Sequence, residues 1–133
     1  MFNFEKLDVW QKAIDFADAT TRGFPADERF GLTNQMRRAA VSISSNIAEG
    51  CSRTSKIDFA RFIEIATGSV FEVVSQALIG CRQGFLDDAS FGRLYRAAEE
   101  QSKMLSGLKN RFCLTSHRAM NLSTLNFQLS TRP

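Results

Sequence analysis

In this chain of 133 residues, the side chains that could do chemistry begin with two glutamates on one predicted helix. Glu64, Gly68 and Glu72 are spaced by four residues, which places them along one line of a helix. Paired carboxylates can act as acid and base when their environments separate their pKa values. A structural interpretation is favoured, because Arg37 or Arg38 could pair with them and such ion pairs are common. The predicted structural polar network is Arg38, Asn46, Glu49, Glu64 and Glu72.

Other routes to catalysis lack a general base. A di-iron or di-manganese site in a helix bundle needs Glu-x-x-His pairs on two helices, but the sequence has one histidine, His117. A nucleophile such as Ser42, Ser45 or Cys51 would need a histidine or similar base nearby. Glycine-rich phosphate-binding motifs do not occur in the sequence. The sequence therefore predicts a protein that is not an enzyme, with no catalytic residue, metal ligand or cofactor.

Positive charge is spread along the chain. The net charge is +3, and residues 1–112 hold 15 basic and 14 acidic side chains. The predicted fourth helix places Arg93, Arg96, Lys103 and Arg111 within an arc of about 80°, but Glu100 falls in the same arc. One copy is therefore expected to bind a polyanion weakly, whereas an oligomer would repeat the patch. The residues predicted to contact RNA or DNA in such an assembly are Arg37, Arg38, Arg53, Lys56, Arg93 and Arg96.

Apolar residues at spacings of three and four predict four amphipathic helices, at about residues 4–21, 33–49, 55–82 and 88–112. Gly23, Pro25, Gly50 and Gly84 mark the breaks between them. The predicted core residues are Leu7, Trp10, Ala13, Ile14 and Ala17 on the first helix, Met36, Ala39, Ala40, Ile43 and Ile47 on the second, Phe59, Phe62, Ile63, Ala66, Val70, Val73, Ala77 and Cys81 on the third, and Phe91, Leu94, Ala98, Gln101, Leu105, Leu108 and Phe112 on the fourth.

Four helices with short connections pack most simply as an antiparallel, up-down-up-down four-helix bundle, so the predicted fold class is all-α. The bundle occupies residues 1–112, and residues 113–133 are predicted to form a poorly ordered polar tail. No segment of the sequence reads as a membrane span or a signal peptide. The three cysteines show no pairing pattern and are predicted to be reduced thiols. We therefore expect a cytoplasmic protein with no membrane partner.

Two helices carry more apolar residues than one bundle stripe requires. Val9 and Phe16 are rotated by about 100° from the Trp10 face of the first helix, and Ile65, Phe71 and Ile79 lie off the stripe of the third. Such a surplus either widens the core or is covered by another subunit. The second interpretation is preferred. It predicts a homo-oligomer whose interface includes Val9, Phe16, Ile65, Phe71 and Ile79.

Three sequence blocks resemble the four-helix-bundle family of 23S rRNA intervening-sequence proteins, which also includes the accessory protein of diversity-generating retroelements. The most specific block is Ser42-Ile43-x-x-Asn46-Ile47-Ala48-Glu49-Gly50, preceded by Gln35-Met36-Arg37-Arg38-Ala39-Ala40. The others are Leu7-x-Val9-Trp10-x-x-Ala13 with Phe24-Pro25-x-x-Glu28-x-Phe30-Gly31-Leu32, and Asp58-Phe59-x-x-Phe62-x-x-Ile65-Ala66-x-Gly68-Ser69-x-x-Glu72.

The resemblance implies a cytoplasmic, non-enzymatic bundle that assembles as a homopentameric ring. In the retroelement branch it also implies a basic surface that binds nucleic acid and a reverse transcriptase. Two hypotheses of function follow: an oligomeric accessory protein associated with RNA or DNA, or a purely structural assembly whose partner is another protein. Electrophoretic binding to RNA and DNA at two salt concentrations would separate them.

Overall fold

The computed structural model describes the backbone of residues 1–22 and 31–130, and the side chains of residues 1–20, 22 and 31–111. Within these residues the chain forms a short 3-10 helix, Asn3–Lys6, and four α-helices. The α-helices are α1 (Asp8–Arg22), α2 (Leu32–Cys51), α3 (Lys56–Arg82) and α4 (Asp88–Ser130). All regular secondary structure in the described residues is helical, so the predicted all-α fold class is confirmed.

Local chemistry explains both ends of α3. The Ser55 hydroxyl accepts a hydrogen bond from the Asp58 backbone N–H at 3.3 Å, a standard N-terminal cap. At the other end Gly84 has a φ of 80°. The Phe85 N–H then donates to the Gly80 carbonyl at 2.9 Å, the bond that closes a Schellman motif. The glycine that marks a break in the sequence therefore ends the helix by adopting a left-handed conformation.

The fourth helix is longer than predicted. Its backbone is helical to Ser130, beyond the predicted end near residue 112. Neither glycine nor proline occurs between residues 108 and 132, and serine, threonine and asparagine disfavour a helix only weakly. The side chains beyond Arg111, residues 131–133 and residues 23–30 lie outside the described residues. The predicted poor order of residues 113–133 stays a prediction.

Neighbouring helices run antiparallel and pack in sequence order. Asn3 Nδ2 donates to the carbonyl of Cys51 at 3.0 Å, so the start of the chain lies beside the end of α2. The Ser42 and Ser69 hydroxyls are 2.9 Å apart and join the middle of α2 to the middle of α3. Each helix contacts the next along the chain, and α1 also contacts α4. This arrangement agrees with the predicted four-helix bundle.

The core lies along the inward faces of all four helices. Every predicted core residue of α2 is buried, and α3 buries most of its predicted stripe. Gln101 interrupts the apolar seam of α4, is 2% exposed, and donates from Nε2 to the Val9 carbonyl at 3.0 Å. Burial of this amide is tolerated because it is hydrogen-bonded. The largest fully buried side chains are Met36, Ile43, Ile47, Ile63, Val70, Val73, Gln101 and Leu105.

The predicted core face of α1 is confirmed in part: Ala13 is buried, Leu7, Trp10 and Ala17 are partly buried against the core, and Ile14 is exposed. Val9 and Phe16, assigned from the sequence to a subunit interface, are each only 4% exposed within one copy of the chain. Ile14, assigned to the core, is 36% exposed, while Ala13 is buried as predicted. The helix carries two apolar stripes, and periodicity alone does not say which stripe faces inward. Packing turns the Phe16 side chain towards the core.

By length and composition α3 alone, within the described part of the chain, could cross a membrane. Its most apolar 18-residue window has a mean hydropathy of 1.4. The core helix of a bundle passes the same test, and the inward residues of α3, such as Ile63 and Val73, are fully buried by the rest of the chain. The high hydropathy of α3 therefore comes from two sets of residues, the buried core stripe and the exposed apolar residues on its outer side.

Candidate interaction surfaces

Six basic residues were predicted to contact nucleic acid, and all six are exposed. The fold separates them. Arg53 and Lys56 flank the α2–α3 turn, at the end of the bundle where the chain begins. The other four, Arg37, Arg38, Arg93 and Arg96, lie towards the opposite end, on α2 and α4. Because α2 and α4 are not neighbouring helices, one copy does not bring the six residues into a single patch.

Arg37 and Arg38 occupy consecutive positions in the second turn of α2. Both are exposed. Neither makes an ion pair with any described residue. Two arginines at consecutive positions, neither of them paired with a carboxylate of the described residues, have the chemistry that phosphate oxygens require. Within the described part of the chain, Arg37 and Arg38 are therefore available to an anion.

The Arg53 guanidinium already contacts two side chains of the same copy. Its Nη2 donates to Glu49 Oε1 at 3.1 Å, and its guanidinium carbon lies 4.8 Å from the centre of the Phe62 ring. Arg53 and Lys56 also line an open cleft of about 380 Å³, formed with Asn3 and residues of α3 and α4. An ion pair and a cation–π contact hold the side chain at the α2–α3 turn. Arg53 therefore contributes less unbalanced charge than Arg37 or Arg38.

The structure contains a second cleft lined by basic side chains, which was not predicted from the sequence. Arg93 and Arg22 line a groove of about 320 Å³ between α1 and α4. Arg93 Nη2 donates to the Ser90 hydroxyl at 3.1 Å. The negatively charged Asp87 carboxylate lies near Arg93. The hydrogen bond from the Ser90 backbone N–H is the main cause that lowers the pKa of the Asp87 carboxyl. The positive charge of Arg93 lowers it by less. No spacing in the sequence links Arg22 to Arg93, since only the antiparallel packing of α1 and α4 brings them together.

The glutamates pair differently from the predicted network. Glu64 Oε1 accepts a hydrogen bond from Lys109 Nζ of α4 at 2.5 Å. This bond and the charge of Lys109 lower the pKa of the Glu64 carboxyl. Glu49 pairs with Arg53, four residues further along the chain. Both pairs are exposed, and exposed pairs contribute little to stability because water screens them.

Arg38 therefore lies outside the network in which it was placed. Glu72 Oε1 accepts from Gln76 Nε2 at 3.3 Å, within α3. Within the described residues Arg38 pairs with none of Glu49, Glu64 and Glu72, so the predicted Arg38 contacts are corrected. Carboxylates on these helix surfaces pair with side chains one turn away on the same helix, or with side chains on the neighbouring helix.

A smaller polar cluster does form between α2 and α3. Asn46 Nδ2 donates to the Ser42 carbonyl at 2.8 Å and to the Ser42 hydroxyl at 2.9 Å. The Ser42 hydroxyl is also bonded to the Ser69 hydroxyl, and Ser69 can donate to the Ile65 carbonyl at 3.2 Å. Among the described residues, the partners of this cluster belong to α2 and α3 themselves. In the described residues, Asn46 therefore bonds to Ser42 and not to the charged residues of the predicted network.

Five of the ten exposed large hydrophobic side chains in the described residues belong to α3. Ile65 is 46% exposed, Phe71 is 65% exposed and Ile79 is 44% exposed. Ile57 and Leu78 on the same helix are also exposed. Next to them, Phe71 and Leu78 line an apolar groove of about 600 Å³ against Tyr95 and other residues of α4. Three of the five predicted interface residues thus lie on the surface, whereas Val9 and Phe16 do not.

The two thiols within the described side chains, Cys51 and Cys81, have raised pKa values. Burial raises the pKa of Cys51. A hydrogen bond from the Cys81 thiol to Asp88 Oδ1, at 3.4 Å, is the main cause that raises the pKa of Cys81. A raised pKa keeps a thiol protonated, and the thiolate is the nucleophile. In the described residues there is also no group of three or more metal-ligating side chains.

Comparisons with known proteins agree with this architecture. The crystal structure, at 1.70 Å resolution, of a protein with unknown function from the S23 ribosomal protein family of Bacteroides thetaiotaomicron matches with a TM-score of 0.71 and 21% sequence identity. The match covers 76% of this chain and 97% of that chain, and it supports the fold alone. No curated protein matches. The model of a family described as 23S rRNA-intervening sequence protein matches residues 5–107, more than half of the chain. The chain therefore belongs to the family of 23S rRNA-intervening sequence proteins.

Proposed function

We propose that this protein is a non-enzymatic, self-associating accessory protein that binds nucleic acid through arginines repeated around its assembly. The observation that carries the proposal is the pair Arg37 and Arg38, which are exposed, adjacent and without an ion pair to any described residue. Arginines that reach phosphates bind RNA and DNA without reading the bases. The expected partner is therefore a nucleic acid recognised mainly through its backbone.

Self-association is the second part of the proposal. Two exposed arginines give weak attraction for a polyanion, and repetition of a weak site in one assembly raises the overall affinity. The exposed apolar residues Ile65, Phe71 and Ile79 of α3 supply a surface that another subunit would cover. A five-membered ring is the arrangement that the family resemblance implies. A reverse transcriptase or other protein partner, and a cytoplasmic location, are further expectations from the same source.

Electrophoretic binding of the purified protein to RNA and DNA at two salt concentrations tests the proposal. The variant Arg37→Glu/Arg38→Glu should weaken binding to both nucleic acids. It should also flatten the dependence of log affinity on log salt, by about 0.9 on duplex DNA and about 0.7 on single strands for each phosphate that the variant no longer neutralises. Arg93→Glu/Arg96→Glu should act in the same direction. Native mass spectrometry should show an unchanged number of subunits in both variants.

The matched control is Lys12→Glu/Lys109→Glu. It changes the net charge by the same amount, but Lys12 and Lys109 already pair with Glu100 and Glu64. Binding should therefore fall less than in the arginine variant. Equal loss in both variants would point to net charge and not to the arginine pair. If the intact protein retains no nucleic acid even at low salt, the accessory function is wrong.

A structural assembly whose partner is another protein is the competing proposal. The exposed apolar surface of α3 favours it, because such surfaces mark protein contacts and not phosphate contacts. It predicts self-association with no retention of RNA or DNA at any salt concentration. The same binding experiment, run beside native mass spectrometry, separates the two functions.

A further inference from the structure

The groove between α1 and α4 contains two clefts that join each other. The first, of about 320 Å³, lies where α1 ends and α4 begins, and Arg22 and Arg93 line it. We call it the arginine cleft. The second, of about 300 Å³, extends from it along the same two helices. The residues that line both clefts are Phe16, Ala19 and Ala97. A ligand in the arginine cleft therefore lies directly beside the second cleft.

The arginine cleft has an excess of positive charge. No carboxylate is among the described residues that line it. Arg22 and Arg93 are exposed, and neither makes an ion pair with a described residue. The hydrogen bond from the Ser90 N–H, at 2.6 Å, and to a smaller extent the charge of Arg93 lower the pKa of the nearby Asp87 carboxyl. One carboxylate near two guanidinium groups leaves the cleft attractive to an anion.

The second cleft has the opposite character. Its charged lining residues are Lys12, Asp15 and Glu100. Lys12 forms an ion pair with Glu100, so the charge of Asp15 has no counterpart among the described residues that line this cleft. Negative charge repels phosphate groups. An anionic chain that enters the arginine cleft is therefore not expected to continue along the groove, and the arginine cleft fits a single anionic group at the end of a chain.

The donors and the size of the arginine cleft fit one phosphate group. A guanidinium presents five N–H donors in a plane, and in the described residues Arg93 uses Nη2 for the Ser90 hydroxyl, at 3.1 Å. Guanidinium groups bind phosphate oxygens through two parallel hydrogen bonds. The volume of about 320 Å³ lies at the lower end of the range for ligand sites, about 300–1,000 Å³. The apolar side chains of Leu86 and Leu94 beside the arginines suit the sugar and base of a terminal nucleotide.

We propose that the arginine cleft binds a phosphate monoester at the end of a nucleic-acid strand. A monoester carries a charge of about −1.5 to −2 near pH 7, whereas each phosphate inside a strand carries one negative charge, so two guanidinium groups favour the end. This inference rests on the proposed binding of nucleic acid and adds a contact that Arg37 and Arg38 do not supply. Those two arginines attract phosphates at any point of a strand, whereas the arginine cleft distinguishes a phosphorylated end from an unphosphorylated one.

The test compares short single-stranded RNAs of one sequence that carry a 5′-phosphate, a 3′-phosphate or hydroxyls at both ends. Guanidinium groups contact the phosphate oxygens and not the sugar, so both phosphorylated RNAs should bind about tenfold more tightly than the unphosphorylated RNA. Fluorescence anisotropy of labelled RNA measures the three affinities. Equal affinities for the three RNAs would contradict the inference.

The variant Arg22→Gln/Arg93→Gln removes both charges of the arginine cleft and should abolish the preference for phosphorylated RNA. Arg37→Gln/Arg38→Gln is the matched control, because it removes the same charge outside the cleft. The control should weaken binding of all three RNAs by a similar factor and keep the preference. Both variants replace exposed side chains, and their unfolding midpoints should stay close to that of the wild-type protein. A preference that survives in Arg22→Gln/Arg93→Gln would contradict the assignment to the cleft.

Adenosine monophosphate carries the same monoester without a strand, so it tests the source of the ligand. If the ligand is the end of a strand, adenosine monophosphate should displace the 5′-phosphorylated RNA only in large excess, since it lacks the contacts of the strand with Arg37 and Arg38. Displacement at a concentration equal to that of the RNA would show that the cleft takes a free nucleotide. The inference about strand ends would then be wrong.

The outcomes separate this inference from the proposed function. A wild-type protein that binds none of the three RNAs would contradict both. Binding of all three with equal affinity would contradict the recognition of a strand end alone and leave the accessory function standing. The expected result is a preference for phosphorylated RNA that disappears in Arg22→Gln/Arg93→Gln and persists in Arg37→Gln/Arg38→Gln.

Discussion

Helices α1 and α3 both carry more apolar residues than one core stripe needs, yet the protein uses the surplus in opposite ways. In α1, the extra pair Val9 and Phe16 forms the buried face, and Trp10 of the other stripe is half-buried beside it. In α3, the core stripe is buried, but Ile65 and Ile79 remain on the surface. Helix α1 therefore adds its extra apolar residues to the core, whereas α3 leaves its extra apolar residues on the surface.

The angle between the two stripes explains the difference. On ideal helical geometry the two stripes of α1 are separated by about 100°, and a helix in a bundle can bury both within one broad inward side. On α3, the exposed line of residues 61, 65, 68, 72, 75 and 79 lies about 160° from the core stripe by the same geometry. No single rotation of α3 buries both. In this chain, the surplus apolar stripe that lies nearly opposite the core is the one that stays on the surface of a single copy.

Replacing Phe16 and Phe71 by alanine should give the largest contrast between the two helices. Phe16→Ala removes a buried aromatic side chain from α1 and should lower the free energy of unfolding by about 3–5 kcal/mol. Phe71→Ala removes an exposed one and should change it by about 0.5 kcal/mol or less in the dissociated protein. Urea denaturation followed by circular dichroism measures both. Similar losses in the two variants would mean that the outer side of α3 is also core.

The glycines of the α2–α3 pair should respond with opposite signs. Gly50→Ala places a methyl group 3.0 Å from Phe62 Cβ, and overpacking of this kind costs about 1–3 kcal/mol. Gly68→Ala adds a methyl group in open space and should stabilise the dissociated protein by about 0.8–1 kcal/mol through helix propensity. Thermal unfolding of the two variants gives the comparison. Stabilisation by Gly50→Ala would refute the close approach at the inner side of α3.

The smallest effect concerns the ion pair that joins the outer side of α3 to α4. Lys109→Met should raise the pKa of Glu64 towards its ordinary value, because the bond and charge that lower it are removed. A carboxyl pKa that is lower in the folded state stabilises the fold above the unfolded pKa, and this stabilisation is lost as pH falls. Carboxyl titration by NMR measures the change. Lys12→Met is the control, and an unchanged Glu64 pKa in Lys109→Met would contradict the pairing.

Much of the fold follows from local patterns. The core stripes of α2 (Met36, Ile43 and Ile47) and of α3 (Ile63 and Val70) are unambiguous in the sequence. Any second apolar stripe on the same helix lies on its opposite side. Glycine breaks predicted the α2–α3 and α3–α4 turns. The candidate sites were harder to predict, because the contacts of Glu64 with Lys109 and of Arg93 with Ser90 depend on which helix faces meet.

The sequence by itself determined that this is an all-helical chain of the 23S rRNA-intervening sequence family, since helical periodicity and the block around Asn46 and Glu49 are local properties. Only the tertiary structure decided the rotation of each helix about its axis. That rotation depends on how the volumes of all four helices fill one core, which no single segment encodes. It placed Phe16 inside and Ile65 outside, left Arg37 and Arg38 without an ion pair to any described residue, and surrounded Gly68 with open space.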